Sequence, residues 1–112
     1  MPAASPQEAK ESVSLIQLIA TPEKYEGKTV LITGFLRLEF EGNSICMHRE
    51  DCDQNLYQNS LWVNPSKDLF AHSQELNNHY ITLVGVFTAK RNGHMGLWPG
   101  EISIISYIRH AT

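Results

Sequence analysis

Basic charge is not in excess in this chain: nine Lys and Arg stand against twelve Asp and Glu, a formal net charge of −3. With an isoelectric point near 5.9, the sequence lacks the electrostatic footprint of a general nucleic-acid or anionic-membrane binder. Cysteine is scarce as well. Two residues, Cys46 and Cys52, are too few for the disulfide framework of a small secreted scaffold. Separated across an expected strand end, they read as free thiols. No apolar run approaches the roughly 20 residues that cross a bilayer. The N-terminus, Met1 to Glu11, has no basic cluster followed by the apolar run of a secretory signal. A cytoplasmic protein without a membrane partner is expected.

The motifs of catalysis are missing too. There is no Gly-x-Ser-x-Gly elbow, no His-Glu-x-x-His helix and no Gly-x-x-x-x-Gly-Lys phosphate cradle. His72, His79, His94 and His110 are scattered and read as surface or hydrogen-bonded structural residues. The run His48-Arg49-Glu50-Asp51-Cys52-Asp53 gathers several types of metal ligand. Even so, His48 and Cys52 supply only half of a zinc pair, and the alternating oxygen ligands and central glycine of a calcium loop are absent. This run is expected to be a solvated connection. The expectation is a protein that is not an enzyme, with no catalytic residue, metal or cofactor.

What is present is a pattern of strands. At 112 residues the chain suits one core, with residues 1–11 as a flexible tail and 12–112 as a single domain. Val13 and Leu18 flank Ser14-Leu15-Ile16-Gln17 as a hydrophobic staple around a capping box, so a short helix is expected through Ala20. Thr21-Pro22-Glu23 restarts a helical turn, and Gly27 offers a left-handed stop.

From Lys28 to Glu41, Val30, Ile32, Leu36, Leu38 and Phe40 share one face of a long strand, with Gly34 on the same phase. Ile81, Leu83, Gly85, Phe87 and Ala89 repeat the arrangement. Glycine at such positions marks a bulge or the bend a strand needs at a barrel corner. Gly42-Asn43 and Asn92-Gly93 signal tight hairpins. Further strands are expected at Ser44 to His48, Ser60 to Val63 and Glu101 to Ile108. A helix opening at Asn64-Pro65-Ser66 carries Leu69, Phe70 and Leu76 toward the core and closes at Asn77-Asn78.

Three strands, a helix, then two strands is the order of the OB-fold, and the stretch from Thr29 to Ile108 resembles one. The fold expected is mainly β: a five-stranded OB-like Greek-key barrel with an N-terminal helix and a helix between the third and fourth strands. The runs Tyr25-Glu26-Gly27-Lys28, Leu38-Glu39-Phe40-Glu41-Gly42-Asn43 and Gly93-His94-Met95-Gly96-Leu97 also resemble a group of small uncharacterised bacterial proteins. That resemblance implies no activity.

Two kinds of partner fit this surface. Glu39, Glu41, Glu50, Asp51 and Asp53 crowd one side of the groove that OB domains use, and with Trp98 they suit a protein partner with a basic surface. An inhibitor or immunity protein is one concrete form, because acidic complementarity speeds association with basic targets. The alternative is a single-stranded nucleic-acid-binding module using Lys90, Arg91, His94 and Trp98. Carboxylates lining the path oppose it, since phosphate contacts carry much of non-specific affinity. Trp62 is expected in the core. Trp98, beside Pro99-Gly100, suits either an exposed contact or a lid over one barrel end.

Overall fold

The computed structural model describes residues 11–64, 71 and 73–111. Its first helix forms where the capping pattern placed it. The Ser14 hydroxyl accepts from the Gln17 amide at 3.1 Å, and the Gln17 carboxamide accepts from the Ser14 amide at 2.9 Å. Two helical N–H groups are thereby satisfied, and α1 runs Leu15–Ala20 with Leu15 and Leu18 buried. A short turn at Pro22–Lys24 follows. Gly27, at φ 74°, then lets the chain turn into its first long strand. Ahead of α1, β1 (Glu11–Ser12) pairs in parallel with Val30 and Leu31. Glu11, assigned to the tail, therefore has a sheet partner.

Five further strands make the barrel: β2 (Thr29–Arg37), β3 (Ser44–Cys46), β4 (Ser60–Val63), β5 (His79–Thr88) and β6 (Glu101–His110). β2 lies antiparallel to β3, β3 to β4 and β5 to β6, whereas β4 and β6 run parallel. Pairing of β2 with β5 from Thr29↔Val86 to Leu36↔His79 closes the ring. The result is a closed, mixed, OB-like barrel with β1 outside it. Its interior is filled by Val30, Ile32, Leu36, Ile45, Leu61, Val63, Ile81, Leu83, Phe87 and Ile102.

The paired glycines sit where strands pass too closely for a side chain. A Cβ on Gly34 would lie 2.7 Å from the Cys46 carbonyl oxygen, and one on Gly85 would lie 2.6 Å from Ile102 Cγ2. Opposite Gly85 the register jumps from Val84↔Tyr107 to Val86↔Ser103, a bulge in β6 at which Ile104 takes φ 50°.

Several expectations need correction. β2 ends at Arg37, so Phe40 does not face the core; it stands 90% exposed in the 38–43 loop. Neither Gly42-Asn43 nor Asn92-Gly93 makes a two-residue hairpin. The strands they join are separated by residues 38–43 and 89–100. Side chains replace the missing ladder: the Asn77 carboxamide accepts from the Leu38 amide at 2.7 Å and donates to the Leu38 carbonyl at 3.2 Å.

β3 stops at Cys46 rather than His48, and the connection expected to be merely solvated contains α2 (Arg49–Asp53). That helix carries Cys52 back beneath Phe35, where it forms a disulfide with Cys46. The free-thiol expectation is wrong, because the strand ends early and the chain doubles back. α3 (Ser73–Leu76) supplies the buried Leu76, while Leu69 and Phe70 lie outside the described residues. Among the described residues no helix is long and apolar enough to cross a membrane.

Candidate functional site

Three connections meet at one side of the barrel: the 38–43 loop, the 47–59 segment containing α2, and the 89–100 loop. Between them lies a cleft of about 330 Å³. Trp98, Ser44, Ser60 and the Cys46–Cys52 bridge contribute to its lining. Trp98 is only 3% exposed, and its indole N–H donates to the Ser44 hydroxyl at 3.0 Å. Tyr57 and Trp62 meet its ring edge-on, with centroids 4.8 and 4.9 Å away. A Cβ on Gly93 would strike both tryptophan rings at 2.8 Å, so glycine is needed there for space as well as for its φ of 71°. Asn92 fixes the same loop, donating to the Trp98 carbonyl at 2.8 Å.

Acids and exposed apolar side chains share the rim. In the 38–43 loop the Gly42 amide donates to the Glu39 carbonyl at 3.0 Å, and Glu41 adopts φ 56°. This turn thrusts Phe40 outward between Glu39 and Glu41. Across the cleft, Met95 at φ 58° is 80% exposed, with Leu97 and Leu56 also open to solvent. A His94–Glu41 contact of 3.0 Å bridges the two loops. Asp51 lines the cleft from α2, its carboxylate accepting from the His48 amide at 2.9 Å and the Asn59 carboxamide at 3.1 Å.

Two carboxylates lie at the ends of the 89–100 loop. Glu26 accepts from the Thr88 hydroxyl and, at 2.8 Å, from the Ala89 amide. Those hydrogen bonds, the hydroxyl's first, draw its pKa down, with Lys90 assisting. Glu101 is 5% exposed; burial pushes its pKa up, and Arg91, 3.8 Å away, only partly opposes this. Its Oε2 has no hydrogen-bond partner.

Of the residues singled out in the sequence, Glu39, Glu41, Asp51, His94 and Trp98 are brought together around the cleft. Glu50 is exposed on α2 outside the lining. Asp53 turns instead to Arg37, at 2.7 Å, and to Arg49, at 3.6 Å. Lys90 and Arg91 lie outside the cleft lining. His94 engages Glu41, and Trp98 is packed, so Trp98 offers no open stacking ring beside the basic residues. Of the two alternatives for Trp98, exposure does not hold: the ring is buried against Trp62, Tyr57 and Ser44, outside the cluster that fills the barrel.

Sequence reasoning missed the apolar rim, because strand alternation assigned Phe40 to the core. The flanking Glu-Gly-Asn of a wide turn was the signal available. Among the described residues no group of three or more His, Cys, Asp or Glu converges on a point where a metal ion would sit. Compared with protein-family models and with curated proteins, the chain matches none, so the reading of this cleft rests on its own geometry.

Proposed function

We propose that this protein is a non-catalytic binding module whose cleft receives a protein partner with a basic surface, through an apolar anchor flanked by cationic groups. The observation that carries this reading is the placement of Phe40 and Met95, 90% and 80% exposed, on opposite loops beside the carboxylates of Glu39 and Glu41. Large apolar side chains held out from a packed base are the material of interface hot spots, where surrounding contacts exclude water. The acids add steering and register more than raw affinity. An inhibitor or immunity-type protein is the concrete form proposed. The Cys46–Cys52 bridge suits an oxidising compartment better than the cytoplasmic setting suggested by the sequence.

Single-stranded nucleic acid is the second reading, supported by the OB-like barrel and by Phe40 as a stacking surface. The two differ in sign on charge reversal. With a basic amphipathic peptide, Phe40→Ala and Met95→Ala should each weaken binding by about 1–2 kcal/mol, and Glu39→Lys or Glu41→Lys should slow association most at low salt. With a mixed-sequence oligonucleotide, the lysine variants should instead bind more tightly. Titration of both probes against the wild type, these four variants, Lys90→Ala and Arg91→Ala at two salt concentrations decides. Micromolar, salt-sensitive oligonucleotide binding that Lys90→Ala and Arg91→Ala abolish, with no peptide binding, would overturn the protein-partner reading.

A further inference from the structure

The wall of the cleft formed by α2 has very little holding it besides a covalent bond. The helix spans only Arg49–Asp53, and Cys52 is its one buried residue. An isolated helix of this length does not persist in water, so its order must come from tertiary contacts. Those contacts are few. Phe35, Cys46 and Cys52 form a small apolar cluster separate from the barrel core. The other anchors are near the surface and include Asp53 to Arg37 at 2.7 Å, the Arg49 amide to the Tyr80 hydroxyl at 3.1 Å, Asn59 to Asp51 at 3.1 Å, the Leu56 amide to the Asp51 carbonyl at 2.8 Å, and the Arg49 guanidinium 5.9 Å from the Phe35 ring centroid. Both cysteines line the cleft, and Cys52 is 9% exposed.

We propose that Cys46–Cys52 is a thiol–disulfide exchange site, and that its reduction by a dithiol releases α2 and dismantles one wall of the cleft while the barrel stays folded. A thiolate of the dithiol attacks Cys52 Sγ from the cleft, the Sγ–Sγ bond breaks, and Cys46 leaves as a thiolate and takes a proton. The second thiol of the reductant then attacks the mixed disulfide. Cys52 is freed as a thiolate, and the reductant departs as its own disulfide with two electrons transferred to the protein. With the bond gone, Cys52 keeps its packing against Phe35 and a sulfur-to-carbonyl approach of 3.8 Å, and α2 is otherwise held by the surface contacts of Asp53, Arg49 and Asp51. Asp51 is carried off with the helix, and the cleft loses a carboxylate.

Linkage makes the effect reciprocal: an occupant that needs the closed wall must make the disulfide harder to reduce by the same factor that reduction weakens its binding. This second consequence rests on the proposed binding function, whereas the release of α2 does not. Hydrogen exchange followed by mass spectrometry, with and without dithiothreitol, measures the release directly. Amides of residues 49–56 should exchange at least tenfold faster after reduction, those of β2 and β5 should keep their protection, and a Cys46→Ser/Cys52→Ser double variant should match the reduced protein. Three results would overturn the proposal: unchanged protection at 49–56, loss of protection across β2 and β5 together, or a disulfide that dithiothreitol leaves intact in the folded protein. A basic amphipathic peptide, titrated against both redox forms, should bind the oxidised form about tenfold more tightly. Equal binding would count against the proposal. Binding to neither form would sink the protein-partner reading alone, with the exchange data still deciding the release of α2.

Discussion

Glu101 leads β6 out of the 89–100 loop with its side chain buried and Oε2 without a hydrogen-bond partner, Arg91 lying 3.8 Å away. Its folded-state pKa lies above the usual 4.5 because burial disfavours the anion. A raised value means that the protonated acid stabilises the fold below the unfolded pKa, and that this contribution is lost as pH rises through the folded value. Glu101→Gln should therefore raise stability at pH 7 by on the order of 1 kcal/mol, the cost scale of an unsatisfied buried group. The advantage should vanish near pH 4. Chemical denaturation of both proteins across that range checks it, and a variant less stable than wild type at pH 7 would show that the Arg91 contact outweighs burial. Glu26 carries the opposite sign. Its lowered pKa makes the clamp on Thr88 and Ala89 present above the usual carboxylate range and lost as pH falls through the lowered value.

At the scale of elements, the glycines in β2 and β5 were legible as corners because apolar-glycine-apolar phasing occurs twice. What they accommodate was not. Gly34 is needed because the Cys46 backbone carbonyl would lie 2.7 Å from a Cβ, and a carbonyl in a sheet ladder has little freedom to retreat. Gly34→Ala should cost about 1–3 kcal/mol through overpacking, read as a lower denaturant midpoint with an unchanged slope. A neutral substitution would mean that β3 can move away. The short helices divide in the same manner. α1 was readable from Ser14 and Gln17, since a capping box is local chemistry. α2 was not, since its order depends on a disulfide and on Arg37 and Tyr80, which are distant in sequence.

The whole molecule behaves as one ring. β2 is locked to β5 along eight residue pairs, from Thr29↔Val86 to Leu36↔His79, so no barrel strand can leave without opening the common core. Phe87, 1% exposed, packs into that core and beneath Gly100. Phe87→Ala should cost about 3–5 kcal/mol, a large part of the roughly 5–15 kcal/mol that stabilises a domain. Loss should be cooperative, with tryptophan fluorescence from the cleft and far-ultraviolet circular dichroism changing at the same denaturant concentration. Separate transitions would show that the cleft cluster of Tyr57, Trp62 and Trp98 unfolds independently of the barrel.

By itself the sequence determined the local and periodic features: the capping box at Ser14, the left-handed stop at Gly27, the inward phases of β2 and β5, and the strand at Ser60–Val63. Each follows from backbone chemistry or from alternation over a few residues, and neither needs a distant partner. Tertiary structure alone decided that Cys46 and Cys52 are joined, that Phe40 points outward and that Trp98 is packed beneath the rim. Those outcomes depend on where a strand stops. β2 ends at Arg37 because Asn77, far along the chain, takes the hydrogen bonds of Leu38. A contact between positions so distant in sequence leaves no period for a local pattern to reveal.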